Sequence, residues 1–496
     1  MAEKDLNLVG KLAPDERVVA EFRLKNISPD DAKYAEASRD LADFLSPKAE
    51  WQICAFVQRT LLEARVEFGQ AEKRHLDEVD RAMHQISPLN MALLEEKVTK
   101  HDQLAVIEEI GRFVSPETKA LLHPGTTSYD ILDTARAYMF KRAWFEVIRS
   151  EISKGIEKLC DISQKAEDEK ILQVGRTHLQ DTSPVPFALT MAGYAGRIAD
   201  RVELCDQYFS DLRGKVSGIV GTGASVEMVV AKPGKDSRFF EDTVLGKLGL
   251  SSDLTATQVT QKEKVADLGH GLTTLMHVLA DFTNDMRMLY SSAIGEITSR
   301  DAAQRLGGSS ADATKNNPIQ YENMTGKAAV VESGMRVLYE MIHSDFQRDL
   351  RGSVQARYQP QSMMTQVYEA FLRLNKTLPQ LSINADRMER NLQPVRDNPS
   401  EAMVAILRGK GFVHSQYGVG HDFVKEIGKV AKSTGRKLVD VALEDSEFSA
   451  LYKTLPENHQ QILQGRLENY VGTAYQRANL LRTYARYTAK RTFELK

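Results

Sequence analysis

The chain has 496 residues, 42% hydrophobic and 27% charged, a balance that excludes a disordered chain and a small disulfide-stapled scaffold. Its 65 Lys and Arg against 68 Asp and Glu leave a net charge of -3. No whole-molecule field therefore draws it to nucleic acid or to an anionic membrane, although a local basic pocket is still open to it.

The three cysteines, Cys54, Cys160 and Cys205, are far apart and form no C-x-x-C. That pattern fits a reducing, cytoplasmic compartment and neither a disulfide framework nor a zinc site. The N-terminus carries charges every few residues and has no apolar h-region, so it does not read as a signal peptide. No stretch of about 18 apolar residues is present to cross a membrane.

At roughly 150 residues per domain the length suggests about three units. Residues 1–124 read as shorter helices, punctuated at Ser28-Pro29-Asp30 and Ser87-Pro88. Residues 125–380 read as long helices, and no proline falls between Pro233 and Pro318 to interrupt them. Phe145, Ile148, Ile152, Ile156, Leu159 and Ile162 form one apolar stripe. Val265, Leu268, Leu272, Leu275, Leu279, Phe282, Met286 and Leu289 form a heptad seam, and Ala328, Val331, Met335, Leu338 and Ile342 a third stripe. Residues 381–496 return to ordinary helices around Pro394 and Pro399. The expected fold is all-α, a central bundle of long helices flanked by two smaller helical domains. Most of the proline gap is expected to be one long helix, leading into a loop. Seams of this length suggest sharing between subunits, the alternative being a long coiled coil within one chain. No alternating β pattern, repeat or low-complexity tract is visible.

Four segments concentrate glycine and polar residues inside this helical frame. Gly125 to Thr134 (GTTSYDILDT) sets a glycine and three hydroxyls before a helix start, a place that suits a carboxylate or phosphate; an elaborate N-cap explains it equally well. Gly175 to Gln180 (GRTHLQ) contains His178, a candidate acid or base if a partner fixes its tautomer, and otherwise a structural histidine. Gly214 to Gly223 lets backbone approach a ligand, but is neither a P-loop nor a G-x-G-x-x-G. Gly307 to Pro318 (GGSSADATKNNP) combines a flexible start with a serine, a lysine and an amide. It is either a mobile lid over an anion or a plain solvent loop.

Together, in this order and spacing, the segments resemble the fumarase/aspartase superfamily, and within it the adenylosuccinate lyases most closely. Thr127 to Thr134 matches T-S-S-D-x-x-D-T, Arg176 to Gln180 matches R-T-H-x-Q, and Gly214 to Thr222 matches G-K-[IV]-S-G-x-V-G-T. Gly308 to Pro318 is an altered G-S-S-x-M-P-x-K-x-N-P. His101-Asp102, Gln258-Val259, the Arg348 to Arg357 segment and Glu468 to Ala474 agree as weaker features, so the resemblance runs from about Ser28 to Thr473.

The resemblance implies β-elimination of fumarate from an N- or O-succinyl group, without metal or other cofactor. It implies Ser309 as general base, and His178 as general acid oriented by Glu322. Lys315 and Asn317 would hold the carboxylate that becomes a dianion, and Thr127, Ser128, Thr177 and Gln258 would bind succinyl carboxylates. Arg348, Ser353 and Arg357 would meet a 5′-phosphate, with Lys33, Tyr34 and His101 at the nucleotide end. It further implies a homotetramer whose sites form where three subunits meet, and a carbon–nitrogen lyase of purine nucleotide synthesis.

The chain also departs from the pattern. Asp312, Ala313 and Thr314 replace Met-Pro-x, Lys33 replaces an arginine, Lys264 stands where many relatives have arginine, and Tyr129 replaces a serine. Three readings stay open: the same substrate in a divergent branch, another N-succinyl substrate, or a helical scaffold without activity.

Overall fold

The computed structural model describes residues 9, 12–230, 234–300, 312 and 315–493. The chain is mostly helical, as the periodicity predicts. The central helices, in chain order, are α1 (Ser128–Arg142), α2 (Arg149–Asp168), α3 (Phe187–Ser210), α4 (Glu263–Tyr290), α5 (Ile319–Met341), α6 (Gln361–Thr377) and α7 (Ala474–Lys490).

The heptad seam lies on α4. Leu268, Leu272, Leu275, Leu279, Phe282 and Met286 are fully buried, with Val265 and Leu289 at the margins. Its partners are in the same chain: α4 packs against α5 on one side and α3 on the other. Two glycines allow these approaches. A Cβ on Gly269 would collide with Leu338 of α5, and one on Gly271 would lie 3.0 Å from Cys205 Sγ of α3. The seam is therefore satisfied within one chain, and its length alone does not call for a second subunit. The stripe of α2 buries Ile152, Ile156 and Leu159, and that of α5 buries Val331 and Leu338. Helix α7 closes the bundle against α2 and α3.

Two expectations need correction. The proline gap is not mostly one helix: α4 spans Glu263–Tyr290, and before it come a helix at Ser237–Lys247 and the irregular stretch up to Lys262. The proline-free sequence permitted helix without requiring it. Strands are also present, in four two-stranded pairings among the described residues. The longest is the hairpin β1 (Leu172–Thr177) and β2 (Gln180–Pro186). It shows no alternation in sequence because burial changes along the hairpin rather than across it: Leu172 to Val174 are buried, and the tip is exposed. The second pair to matter is β3 (Ile297–Ser299) with β4 (Leu381–Ile383).

One hydrophobic core runs from Leu41 to Met388 and takes in Ala478 and Ala485 of α7. A separate core, from Met403 to Leu463, serves the helices between Ser400 and Leu463, and a third, small one joins Leu172 and Val174 of β1 to Leu392, Val395, Ala402, Ile462 and Leu467. No described helix is long and apolar enough to cross a membrane.

Candidate active site

The expected site residues fall into three groups within the chain. The first is built on the N-terminus of α1. Asp130, fully buried, accepts hydrogen bonds from the N–H groups of Thr127 (2.6 Å), Ser217 (3.0 Å) and Gly218 (3.2 Å), and pairs with the buried ammonium of Lys215. One carboxylate thus ties the helix start to the Gly214–Gly223 segment. The N-cap reading accounts for this segment: Thr127 and Asp130 form a capping box, Thr126 Oγ1 donates to the His123 carbonyl at 2.9 Å, and all three hydroxyl residues are half-buried. Ser128 Oγ lies 3.0 Å from His101 Nε2. His101 caps the next helix N-terminus with Nδ1, which accepts the Leu104 N–H at 3.4 Å. Asp102 Oδ1 lies at the same 3.4 Å from Nδ1.

The same group includes Gln258 and Arg348. Asp133, in α1, accepts from Thr260 N–H (2.8 Å) and Lys262 Nζ (2.7 Å), which pins the irregular run that contains Gln258. Burial pushes the Asp133 carboxyl up, but Lys262 and the Thr260 amide outweigh it and hold it below the ordinary carboxylate range. Arg348 Nη1 donates to Gln258 Oε1 at 3.0 Å, and its guanidinium lies 4.0 Å over the Tyr129 ring. Tyr129, Asp133, Arg348 and Ser353 line one cavity, and Ser353 also lines a neighbouring one together with Arg357, Asp102 and Glu95. Burial raises the Glu95 carboxyl, aided by Asp102 and opposed by Arg357.

The second group lies at the N-terminus of α5. Lys315 is exposed, its N–H on the Asp312 carbonyl at 3.3 Å, and Asn317 leads into the helix, whose first turn carries Glu322. Next to Glu322, Asn323 donates to Tyr34 Oη at 3.5 Å. The Tyr34 ring rests on the Lys327 ammonium at 4.4 Å. That buried lysine is held by Gln366 (2.5 Å) and Glu369 (2.6 Å) of α6. Lys33 is exposed beside it. Ser309 lies outside the described residues.

The third group is the tip of the β1–β2 hairpin. Thr177 and His178 are exposed, and His178 and Leu179 turn the chain at φ 53° and 61°. No hydrogen bond among the described residues joins His178 to Glu322. The hairpin is aimed from its base instead. Arg176 donates to the fully buried Glu296 at 2.5 and 3.2 Å, and Asn391 donates to the same carboxylate at 2.8 Å. Glu296 directly precedes β3, which pairs with β4.

Sequence reasoning missed Glu296 and Lys327, and it noted Lys215 only as part of a glycine-rich run. Their signal was weak, because a single charge in an apolar context looks like any surface residue until its buried partner is known. Among the described residues no cluster of three or more His, Cys, Asp or Glu is arranged to hold a metal.

The family model described as "Lyase" matches residues 45–332. The chain belongs to the fumarase/aspartase superfamily. It is a lyase of that superfamily acting on a small-molecule substrate. Among curated relatives it is similar to the adenylosuccinate lyase of Archaeoglobus fulgidus, 26% identical over 424 residues, covering 85% of this chain and 90% of that one. It is also similar to that of Bacillus subtilis, 30% identical over 307 residues, covering 61% and 67%. Among solved structures it shares its fold with the 3-carboxy-cis,cis-muconate lactonizing enzyme of Pseudomonas putida, with TM-score 0.76 and 19% identity over 91% of this chain and 97% of that one. A fumarate lyase from Mesorhizobium gives TM-score 0.72 and 20% identity, with 90% and 97% covered.

Proposed function

We propose that this superfamily lyase cleaves adenylosuccinate to AMP and fumarate, and the succinylated aminoimidazole carboxamide ribotide in the same way, in purine nucleotide synthesis. What carries the reading is the Arg348–Arg357 segment. Arg348 and Ser353 line one cavity and Ser353 and Arg357 an adjoining one, two guanidiniums and a hydroxyl suited to a phosphate, with Gln258 hydrogen-bonded to Arg348; Glu95, Asp102 and the Arg136-paired Glu50 also line the second cavity. A superfamily lyase for aspartate or malate has no use for a phosphate shelf. The relatives named adenylosuccinate lyase support the same reading.

In this mechanism Ser309 removes the proton from the carbon next to a succinyl carboxylate. The charge that develops on that carboxylate is met by Lys315 and Asn317. The carbon–nitrogen bond then breaks, its electron pair stays on nitrogen, and His178, oriented by Glu322, supplies the proton. Thr127, Ser128, Thr177 and Gln258 hold the carboxylates, while Lys33, Tyr34 and His101 meet the nucleotide end. Among the described residues no hydrogen bond joins His178 to Glu322, which supports a complete site assembled from three subunits of a homotetramer.

The test is steady-state fumarate release with Arg348→Ala and Arg357→Ala. A large rise in KM for adenylosuccinate is expected. Unchanged kinetics would point to a different, non-nucleotide N-succinyl substrate. Ser309→Ala should lose several orders of magnitude in kcat with its assembly intact, and a variant as active as wild type would refute the proposed base.

A further inference from the structure

Tyr129 is where this chain departs from the T-S-S-D pattern, and it is 5% exposed. The Arg348 guanidinium carbon lies over its ring, 4.0 Å from the centroid, while Arg348 donates to Gln258 Oε1 at 3.0 Å. A guanidinium carries donors only, so the amide atom facing it has to be the oxygen. The Gln258 NH2 is thereby turned away, and it makes no hydrogen bond among the described residues. The backbone is zipped at the same place: Gln258 N–H donates to the Gln347 carbonyl (3.2 Å), and so does Thr257 Oγ1 (2.7 Å).

We propose that Tyr129 is a positioning residue for the anion site: it fixes Arg348 in the plane from which Arg348 turns the Gln258 NH2 toward a substrate carboxylate. A serine at this position offers no face, and the long arginine would regain its rotamers. The proposal rests on the lyase reading above and deepens it, assigning a role to a residue at which the chain departs from the shared motif.

The experiment compares Tyr129→Ser, Tyr129→Phe and Arg348→Lys in steady-state cleavage of adenylosuccinate. Tyr129→Ser is expected to raise KM about two- to thirtyfold, the span of a desolvated cation–π contact, with kcat within about twofold. Tyr129→Phe, which keeps the ring, should restore KM. Arg348 also meets the phosphate in the reading above, so Arg348→Lys raises KM by itself and serves as the background: adding Tyr129→Ser to it should raise KM no further, and a full additional rise overturns the proposal. An unchanged KM in Tyr129→Ser overturns the proposal, as does a Tyr129→Phe variant impaired as much as the serine variant.

If wild type releases no fumarate from adenylosuccinate, the substrate reading has failed and the relay is judged by titration calorimetry with fumarate. Weaker fumarate binding by Tyr129→Ser than by wild type then supports it, and equal affinity overturns it.

Discussion

Lys215→Met isolates the charge pair on which the first group is built. Lys215 and Asp130 are both fully buried. Removing the ammonium leaves a carboxylate inside the protein with the N–H groups of Thr127, Ser217 and Gly218 as its remaining donors. Breaking a buried pair on one side costs about 3–5 kcal/mol, and the three remaining donors argue for the lower end. About 3 kcal/mol corresponds to a roughly hundredfold shift in the local opening equilibrium. Ser217 and Gly218 are the reporters, because their amides donate directly to Asp130. Hydrogen exchange followed by mass spectrometry should show their protection falling by about that factor, while α4 stays protected. Adding Asp130→Asn to Lys215→Met should recover part of the loss, since no buried charge is then left alone. Unchanged protection at Ser217 and Gly218 in Lys215→Met would refute the reasoning.

Three further outcomes are expected. Glu296→Ala leaves Arg176 without its buried partner, so the hairpin bearing His178 is no longer fixed; kcat should fall at least about tenfold with KM little changed, and a kcat equal to wild type would dissociate the hairpin base from catalysis. His123 is half-buried and bonded to Gln58, and desolvation holds its imidazole below the usual 6.5. The unfolded chain therefore binds the extra proton first, so stability is full above 6.5 and falls as pH drops from there toward the depressed native value. His123→Asn suits the left-handed φ of 64° and should flatten that part of the denaturation-versus-pH curve. Cys54, Cys160 and Cys205 are buried, and burial raises all three thiols, Cys160 to about 11. A thiol reagent should label none of them in the native protein and all three in denaturant; rapid native labelling would contradict their burial.

The sequence made the helical frame legible because an apolar residue every three or four positions has one economical burial. Leu268 through Met286 all lie in the core. What it did not reveal was the seam's partner. Periodicity tells which face is buried but not what covers it, and Gly269 and Gly271 became meaningful only once Leu338 and Cys205 were seen against them. The β1–β2 hairpin escaped for a related reason, since its burial grades from base to tip and leaves no period of two. In the candidate site the polar segments stood out because glycine and hydroxyl runs interrupt a helical pattern. Asp130, Lys215 and Glu296 could not be read as a framework, since their partners lie tens to hundreds of residues away in the chain. Tyr129 was visible as a departure, and the guanidinium stacked on it gives that departure a physical role.

The central claim is the substrate, and proton NMR of the purified protein with adenylosuccinate tests it most directly. Fumarate and AMP should appear in equal amounts as adenylosuccinate disappears, and Ser309→Ala should abolish both. Adenylosuccinate that stays intact, while another N-succinyl compound loses fumarate under the same conditions, would contradict the account.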